Sequence, residues 1–167
     1  HGASPHTTVD PVVVASHIVI ALQTIVSREI APVNPAVITV GTIHAGTAQN
    51  IIPGEATISG MIRTMTKEDR TFAVERLTEI AEGIASMSRA KAEVIVDESY
   101  PCLYNEDGCV DLLKESAEIV LGKENILEQK VPKMGVESFA YFAMERDAAF
   151  YFLGSGKKEK KKPNTPN

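Results

Sequence analysis

The stretch E-A-T-I-S-G-M-I-R-T-M-T-K-E-D, residues 55–69, decides the fold because its period changes at Thr66. Up to Met65, apolar and polar side chains alternate, which predicts a strand that is covered on one face. The face predicted to be covered carries Ala56, Ile58, Gly60 and Ile62. From Thr66 the pattern changes to a capping box in which Thr66 and Asp69 satisfy free amides of a helix. A strand that leads directly into a helix is therefore predicted.

The flanking segments extend this arrangement in both directions. The helix that follows Thr66 carries one apolar stripe at helical spacing, formed by Ala73, Leu77, Ile80, Ala81 and Ile84. Upstream, Asp10-Pro11 has the pattern of a helix start, and a helix is predicted from Pro11 to Arg28. The β-branched segment Ala36–His44 predicts a strand.

A third strand is predicted over Ala92–Glu98, where Val94 and Val96 share a face. The order is then helix, strand, strand, helix, strand. This is a ferredoxin-like βαββαβ unit that lacks its first strand, the one that would lie between the third and fourth. Because the chain also begins at His1 without a methionine, we expect it to be part of a longer protein. Unpaired strand edges should make it marginally stable and prone to strand addition.

The sequence changes character after Tyr100-Pro101 and predicts the end of a second, α/β domain. The elements predicted there are a helix over Asp107–Leu121 ended by Gly122, a strand over Ile126–Gln129, a helix over Glu137–Met144 and a strand over Ala148–Gly154. The fold class is therefore α/β, or more strictly α+β. The predicted domains are residues 1–100, residues 101–156, and a disordered lysine-rich tail over 157–167.

Composition excludes several functional classes. The hydrophobic content is 44%, the charged content 23% and the net charge −5, as in an ordinary globular protein without a basic face for nucleic acid. The apolar run Val12–Val26 is shorter than a membrane span needs and contains His17, so a buried helix is predicted. Two cysteines are too few for a disulfide framework, which favours a cytoplasmic location.

The sequence contains no self-sufficient catalytic motif. Gly154-Ser155-Gly156-Lys157 lacks the first glycine and the final Ser or Thr of a phosphate-binding loop, and the four histidines lack metal-ligand spacing. His1, Asn50 and Arg63 remain as polar residues near loop ends. Asn50 can be read as a turn residue and Arg63 as a solvated side chain. Presented together, the three would instead suit an anionic substrate or an oxyanion.

Several strings occur in a familiar order: H-G-A-S-P-H-T-T-V-D-P, A-L-Q-T-I-V-S-R-E, V-G-T-I-H-A-G-T-A-Q-N-I-I-P, G-M-I-R-T, M-G-V-E-S-F-A-Y-F and F-L-G-S-G. Over about residues 1–156 the chain closely resembles metal-dependent amidohydrolases of the aminoacylase and carboxypeptidase group, which includes hippurate hydrolase, N-acyl-amino-acid amidohydrolases and auxin-conjugate hydrolases. The resemblance implies a catalytic α/β domain with two divalent metal ions, zinc or manganese, and an inserted ferredoxin-like lid that forms a homodimer.

The resemblance also implies roles for matching residues. His1 matches the lid histidine that reaches into the partner's active site and polarises the scissile carbonyl. Asn50 and Arg63 match lid residues that contact substrate, and Gly135 lies in a substrate-facing loop. That loop usually reads M-G-S-E-D-F, so Val136 and Ser138 depart from the pattern while Glu137 is kept.

The metal ligands and the general-base glutamate of these enzymes have no counterpart in the chain. We therefore expect no catalytic metal and no hydrolysis from the chain by itself. The primary hypothesis is a fragment of a dimeric amidohydrolase acting on small N-acyl amino acids. The alternative is a non-catalytic, self-associating interaction module. Nucleic-acid binding is disfavoured because only 5% of the residues are aromatic.

Overall fold

The computed structural model describes residues 1–156, and the tail predicted over 157–167 lies outside the described residues. The chain forms two compact units, which are described separately below. The first unit consists of His1–Cys102 together with Gln129–Val136, and the second of Leu103–Glu128 together with residues 137–156.

The first unit begins with a short 3-10 turn, Pro5–Thr7, followed by helix α1, Pro11–Thr24. The predicted start of α1 is confirmed, because the Asp10 side chain accepts a hydrogen bond from the Val12 amide at 2.9 Å. The predicted helix continues past Thr24 as a π-turn, Ile25–Glu29, in which the Ile30 amide donates to the Ile25 carbonyl at 3.0 Å. The wider turn ends the helix with both Ile25 and Ile30 buried.

Helix α1 and the π-turn together, Pro11–Glu29, are long and apolar enough by length and composition to cross a membrane. The core helix of a globular domain satisfies the same test. Val14, Ala15, Ile18 and Leu22 of this helix are buried within the first unit.

Two strands form an antiparallel sheet: β1, Ala36–Ala45, and β2, Ala56–Thr64. Their pairing runs from Ala36 opposite Thr64 to Ala45 opposite Ala56, with a bulge between Val40 and Thr42. Both predicted strands are confirmed. Ile58 and Ile62 pack against the core as the alternation indicated, whereas Thr57, Ser59 and Arg63 occupy the opposite face.

Helix α2, Lys67–Met87, follows β2. The predicted cap is confirmed, since the Thr66 hydroxyl accepts a hydrogen bond from the Asp69 amide at 3.1 Å. Its predicted stripe packs against α1 and the sheet, with Ala73, Ala81 and Ala85 buried. An ion pair between Arg76 and Glu29, at 2.5 Å, joins α2 to the π-turn and lowers the pKa of the Glu29 carboxyl through a side-chain hydrogen bond.

The third predicted strand is wrong, because residues 91–100 have no regular secondary structure and the sheet of the described residues has two strands. Ala92 and Val94 nevertheless pack against the core, as the alternating pattern predicted. The physical reason is the absence of a ladder partner. In the βαββαβ order, the neighbour of this segment is the first strand, which the given sequence does not contain. Alternating apolar and polar residues form a strand only when a neighbouring backbone is there to pair with them.

The second unit contains helix α3, Asp107–Leu121, with the predicted bounds, and the short helix α4, Ala140–Glu145, near the predicted position. The strands predicted over Ile126–Gln129 and Ala148–Gly154 are wrong. A 3-10 turn, Lys123–Asn125, leads into the first segment, and neither segment has a strand beside it within the described residues.

At the segment Ala148–Gly154, hydrogen bonds from Asn105 and Glu106 take the place of those that a neighbouring strand would form. Its side-chain oxygen accepts from the Phe150 amide at 2.7 Å, and its side-chain nitrogen donates to the Phe150 carbonyl at 3.1 Å. The Glu106 amide donates to the Ala148 carbonyl at 2.9 Å. Three hydrogen bonds thus satisfy backbone groups that a sheet would otherwise pair.

Candidate functional site

The N-terminal residues and the connection between β1 and β2 meet at Gly2 and Asn50. The Gly2 amide donates a hydrogen bond to the Asn50 carbonyl oxygen at 2.8 Å. Both His1 and Asn50 are exposed. The structure therefore brings two of the predicted site residues next to each other, although 48 positions of sequence separate Gly2 from Asn50.

His1 lies in a tight turn of its own. Its carbonyl oxygen accepts from the Ser4 amide at 2.9 Å, and its ring nitrogen Nδ1 accepts from the Ala3 amide at 3.2 Å. These bonds tie both the backbone and the imidazole of His1 to the next three residues. The other ring nitrogen, Nε2, has no hydrogen-bond partner within residues 1–156 and is available to a ligand.

The connection that carries Asn50 is also turned back on itself. Gly46 has a positive φ of 73°, a conformation that glycine adopts readily, and the Ile51 amide donates to the Ala48 carbonyl at 3.3 Å. The sequence reading of Asn50 as a turn residue is compatible with this geometry. Among the described residues, the Asn50 carboxamide makes no hydrogen bond, so it can both donate to and accept from a ligand.

Arg63 occupies a different part of the first unit. It lies in β2 opposite Val37, seven residues beyond Ala56, where the connection joins the strand. Seven strand residues correspond to about 23 Å of strand. Arg63 is half-buried on the face of the sheet opposite to the core, and no hydrogen bond or ion pair joins it to His1 or Asn50 in the described part of the chain. The structure does not assemble the three residues within one copy of the chain.

Gly135 belongs to the segment Gln129–Val136, which groups with the first unit. It has no positive φ, and a Cβ placed there would meet no atom within 4 Å. No backbone constraint therefore explains a glycine at this position. Across residues 1–156, no hydrogen bond links Gly135 to His1, Asn50 or Arg63, and its substrate-facing role stays a prediction.

The described residues do not fit a dinuclear metal centre. No group of three or more His, Cys, Asp or Glu side chains within residues 1–156 is close enough to hold a metal ion. Cys109 lies beside Glu106, whose side chain caps α3 by accepting from the Cys109 amide at 2.7 Å. Backbone hydrogen bonds lower the pKa of Glu106, whereas partial burial and then Glu106 raise the pKa of the Cys109 thiol.

The contact residue that the sequence analysis did not single out is Gly2. Gly2 makes the backbone hydrogen bond that joins the His1 turn to the connection. A glycine directly after a candidate histidine was the available signal, since glycine permits close approach of a second backbone.

Similarity to known proteins extends over most of the chain. Residues 1–86 match the peptidase dimerisation domain of the M20 family, and 86 of 167 residues is just over half of the chain. The chain is 38% identical over 156 residues to N-acetyldiaminopimelate deacetylase of Enterococcus faecalis, covering 92% of the chain and 40% of that protein. It is 35% identical over 153 residues to hippurate hydrolase of Campylobacter jejuni, again covering 92% of the chain and 40% of that protein.

A solved structure shows the same fold. The crystal structure of a dinuclear metal-binding peptidase of the M20 family from Bacillus subtilis superimposes with a TM-score of 0.67 at 29% identity, covering 84% of this chain and 35% of that one. The chain thus spans about two fifths of the length of these relatives. With residues 1–86 matching the dimerisation domain, the chain belongs to the M20 family of metal-dependent peptidases and amidohydrolases.

Proposed function

We propose that this chain is the dimerising lid, with an adjoining part of the catalytic domain, of an amidohydrolase that cleaves small N-acyl amino acids. The observation that carries the proposal is the contact that places His1 beside Asn50 on the exposed side of the dimerisation domain. The relatives named for N-acetyldiaminopimelate and for hippurate act on amides of amino acids, which supports this substrate class.

The chemistry assigned to the lid is binding and orientation. The Nε2–H of neutral His1 and the amide of Asn50 are donors that suit the oxygen of a polarised carbonyl. Arg63 suits the free carboxylate of the amino-acid part, and it would serve a site assembled from two copies of the chain. Because the described residues do not fit a metal centre, the water-activating step belongs to residues outside residues 1–156.

Dimerisation involves the outer side of α1. No Asp, Glu, Lys or Arg occurs between Pro11 and Ser27, and the residues exposed on α1 include Val12, Val13, Ser16, His17, Ile20, Gln23 and Thr24. In contrast, the exposed side of α2 is acidic and carries Glu68, Glu75, Glu79 and Glu82. An uncharged helix surface is the one that a second copy covers without repulsion between like charges.

The position of α1 connects this surface to a sheet edge. Helix α1 packs on both strands, whereas α2 packs mainly on β2, so α1 lies on the side of the sheet nearer to β1. The outer edge of β1 is unpaired in the described sheet. Two copies related by a two-fold axis can pair their β1 edges and pack their α1 helices in one isologous contact.

Substitution of Ile20 tests this contact. Ile20 is 69% exposed, so Ile20→Glu should leave the fold of one copy intact while it places two carboxylates near the two-fold axis. Sedimentation equilibrium should show a dimer for the wild type and at least a roughly tenfold higher dissociation constant for the variant. Val33→Glu is the matched control, because Val33 is 85% exposed but precedes β1 outside the α1 surface. Equal dissociation constants for the two variants would contradict the assignment.

A chimera tests the catalytic part of the proposal. Residues 1–86 would replace the matching segment of the Enterococcus faecalis deacetylase, and deacetylation would be measured with zinc or manganese present. We expect an active chimera in which His1→Ala lowers kcat/KM by about a hundredfold, the usual effect of removing a donor to a developing oxyanion. His6→Ala is the control, because His6 is an exposed histidine in the same N-terminal stretch.

The outcomes separate the two hypotheses. Equal activity of the His1 and His6 variants would contradict a substrate role for His1. A chimera that dimerises without hydrolysing substrate would favour the non-catalytic interaction module.

The chain by itself should neither bind stoichiometric metal nor hydrolyse hippurate. A cytoplasmic location, the absence of nucleic-acid and membrane partners, and marginal stability stay predictions from the sequence.

A further inference from the structure

We infer that Gly2 is a positioning residue, which locks the His1 turn onto the Asn50 connection and thereby sets the separation of the two substrate-binding side chains. The inference rests on the proposed function for its catalytic consequence. The lock is the contact between the Gly2 and Asn50 backbones, which joins the His1 turn to the connection. It can be tested without measuring activity.

The first element of the lock is the close approach of two backbones. A Cβ built on Gly2 would lie 3.1 Å from the Asn50 carbonyl oxygen, 3.4 Å from its carbonyl carbon and 3.6 Å from its Cα. All three neighbours are backbone atoms, which cannot rotate away as a side chain can. Any larger residue at position 2 must therefore push the connection outward or lengthen the 2.8 Å hydrogen bond from the position-2 amide.

The second element is the fixed tautomer of His1. Its Nδ1 accepts a hydrogen bond from the Ala3 amide, so this nitrogen presents a lone pair and cannot carry the proton of the neutral ring. The proton of the neutral imidazole is consequently on Nε2. A turn that also includes the bond from the Ser4 amide to the His1 carbonyl orients the ring as a donor before any substrate arrives.

The third element is that the lock uses only backbone atoms of Asn50. The Asn50 carbonyl oxygen accepts from Gly2, while its carboxamide has no partner within residues 1–156. The side chain therefore remains available for substrate although the backbone is held. Because the two donors are already held at a set separation, substrate binding loses less conformational entropy, which is the general advantage of a preorganised site.

The test compares the 167-residue chain with its Gly2→Ala and Gly54→Ala variants by nuclear magnetic resonance. Gly54 lies in the same connection as Asn50, and a Cβ there would meet nothing within 4 Å, which makes it the matched control. In the wild type and the control we expect slow exchange of the position-2 amide, the Nε2–H tautomer of His1, and a scalar coupling between the Ala3 amide nitrogen and His1 Nδ1. In Gly2→Ala the position-2 amide should exchange at least tenfold faster, and the coupling should be lost.

A second variant separates the backbone from the side chain. Asn50→Ala keeps the carbonyl oxygen, so the Gly2 amide should remain as protected as in the wild type. Protection and coupling retained in Gly2→Ala would overturn the inference, as would loss of protection in Asn50→Ala.

The deacetylase chimera adds a kinetic measurement. Gly2→Ala should lower kcat/KM at least tenfold, and the double variant with His1→Ala should lose less than the sum of the two single losses, because Gly2 acts by setting the position of His1 relative to Asn50. Additive losses would overturn the positioning role. An inactive wild-type chimera would count against the proposed function, and the resonance measurements would still decide the lock.

Discussion

Replacing Gly60 by alanine is expected to destabilise the first unit by about 3 kcal/mol or more, the upper range for a group forced into a filled space. Gly60 lies opposite Val40 at the bulge of the sheet, and a Cβ there would lie 2.1 Å from the Thr39 carbonyl oxygen and 3.0 Å from the Thr39 carbonyl carbon. The neighbouring atoms are strand backbone, so relief requires the two strands to separate. Urea unfolding followed by circular dichroism would measure the lost free energy of unfolding.

Gly54→Ala is the matched control for this substitution. A Cβ at Gly54 meets no atom within 4 Å, and the same change of residue should alter the free energy of unfolding by less than about 1 kcal/mol. Comparable stabilities for Gly60→Ala and Gly54→Ala would show that β1 and β2 do not approach at the bulge as described.

Replacing Ile25 by alanine is expected to destabilise the first unit by about 2–5 kcal/mol, the range for removing a large aliphatic side chain from a core. Ile25 is 0% exposed, and it opens the π-turn where α1 ends. Its side chain packs in the cluster formed by α1, α2 and the sheet, so its removal leaves a cavity at the junction of the helices.

The measurement is again the midpoint and slope of urea unfolding. Ile20→Ala is the control, since Ile20 lies on the same helix but is 69% exposed. Because Ile20 also belongs to the proposed dimer surface, both variants should be compared at concentrations that favour the monomer. Equal losses for the two variants would contradict the burial of Ile25.

Local signals in the sequence predicted much of the first unit. Asp10 and Thr66 each cap the helix that follows, and apolar and polar residues alternate along the strand over residues 56–64, as expected for a sheet covered on one face. These elements could be predicted because their cause lies within a few residues. Caps satisfy amides two or three positions away, and alternation follows from the two-residue period of a strand.

The strand predictions that failed concern segments that have no neighbouring strand in the described sheet. Ala92–Glu98 and Ala148–Gly154 have the composition of strands, but a strand needs a neighbouring backbone that their own residues do not reveal. The contact between Gly2 and Asn50 was not predicted from the sequence, because it joins segments 48 residues apart. The resemblance to amidohydrolases named His1 and Asn50 without indicating what holds them together.

The position of Arg63 relative to the other candidate site residues was only partly predicted from the sequence. The strand pattern predicts that Arg63 lies in β2. The sequence analysis placed it only near a loop end, however, and did not predict how far along the strand it lies from the connection. In the proposed function, Arg63 serves a site formed by two copies, and such a residue would have no local signal because its substrate-binding partners would belong to another molecule.

The two-stranded sheet has a consequence for how the protein must be handled. A two-fold contact through β1 closes on itself, but the outer edge of β2 is still unpaired in the described sheet. Neither strand contains proline or lysine, the residues that commonly protect an edge from further pairing. If the β1 edges are paired in this way, each pair of copies still has two free β2 edges, and pairing of β2 edges between successive pairs extends one sheet into a fibre rather than a defined oligomer. The proposed dimer and the aggregate would therefore form through opposite edges of the same small sheet, and we expect dilute conditions to disfavour the aggregate.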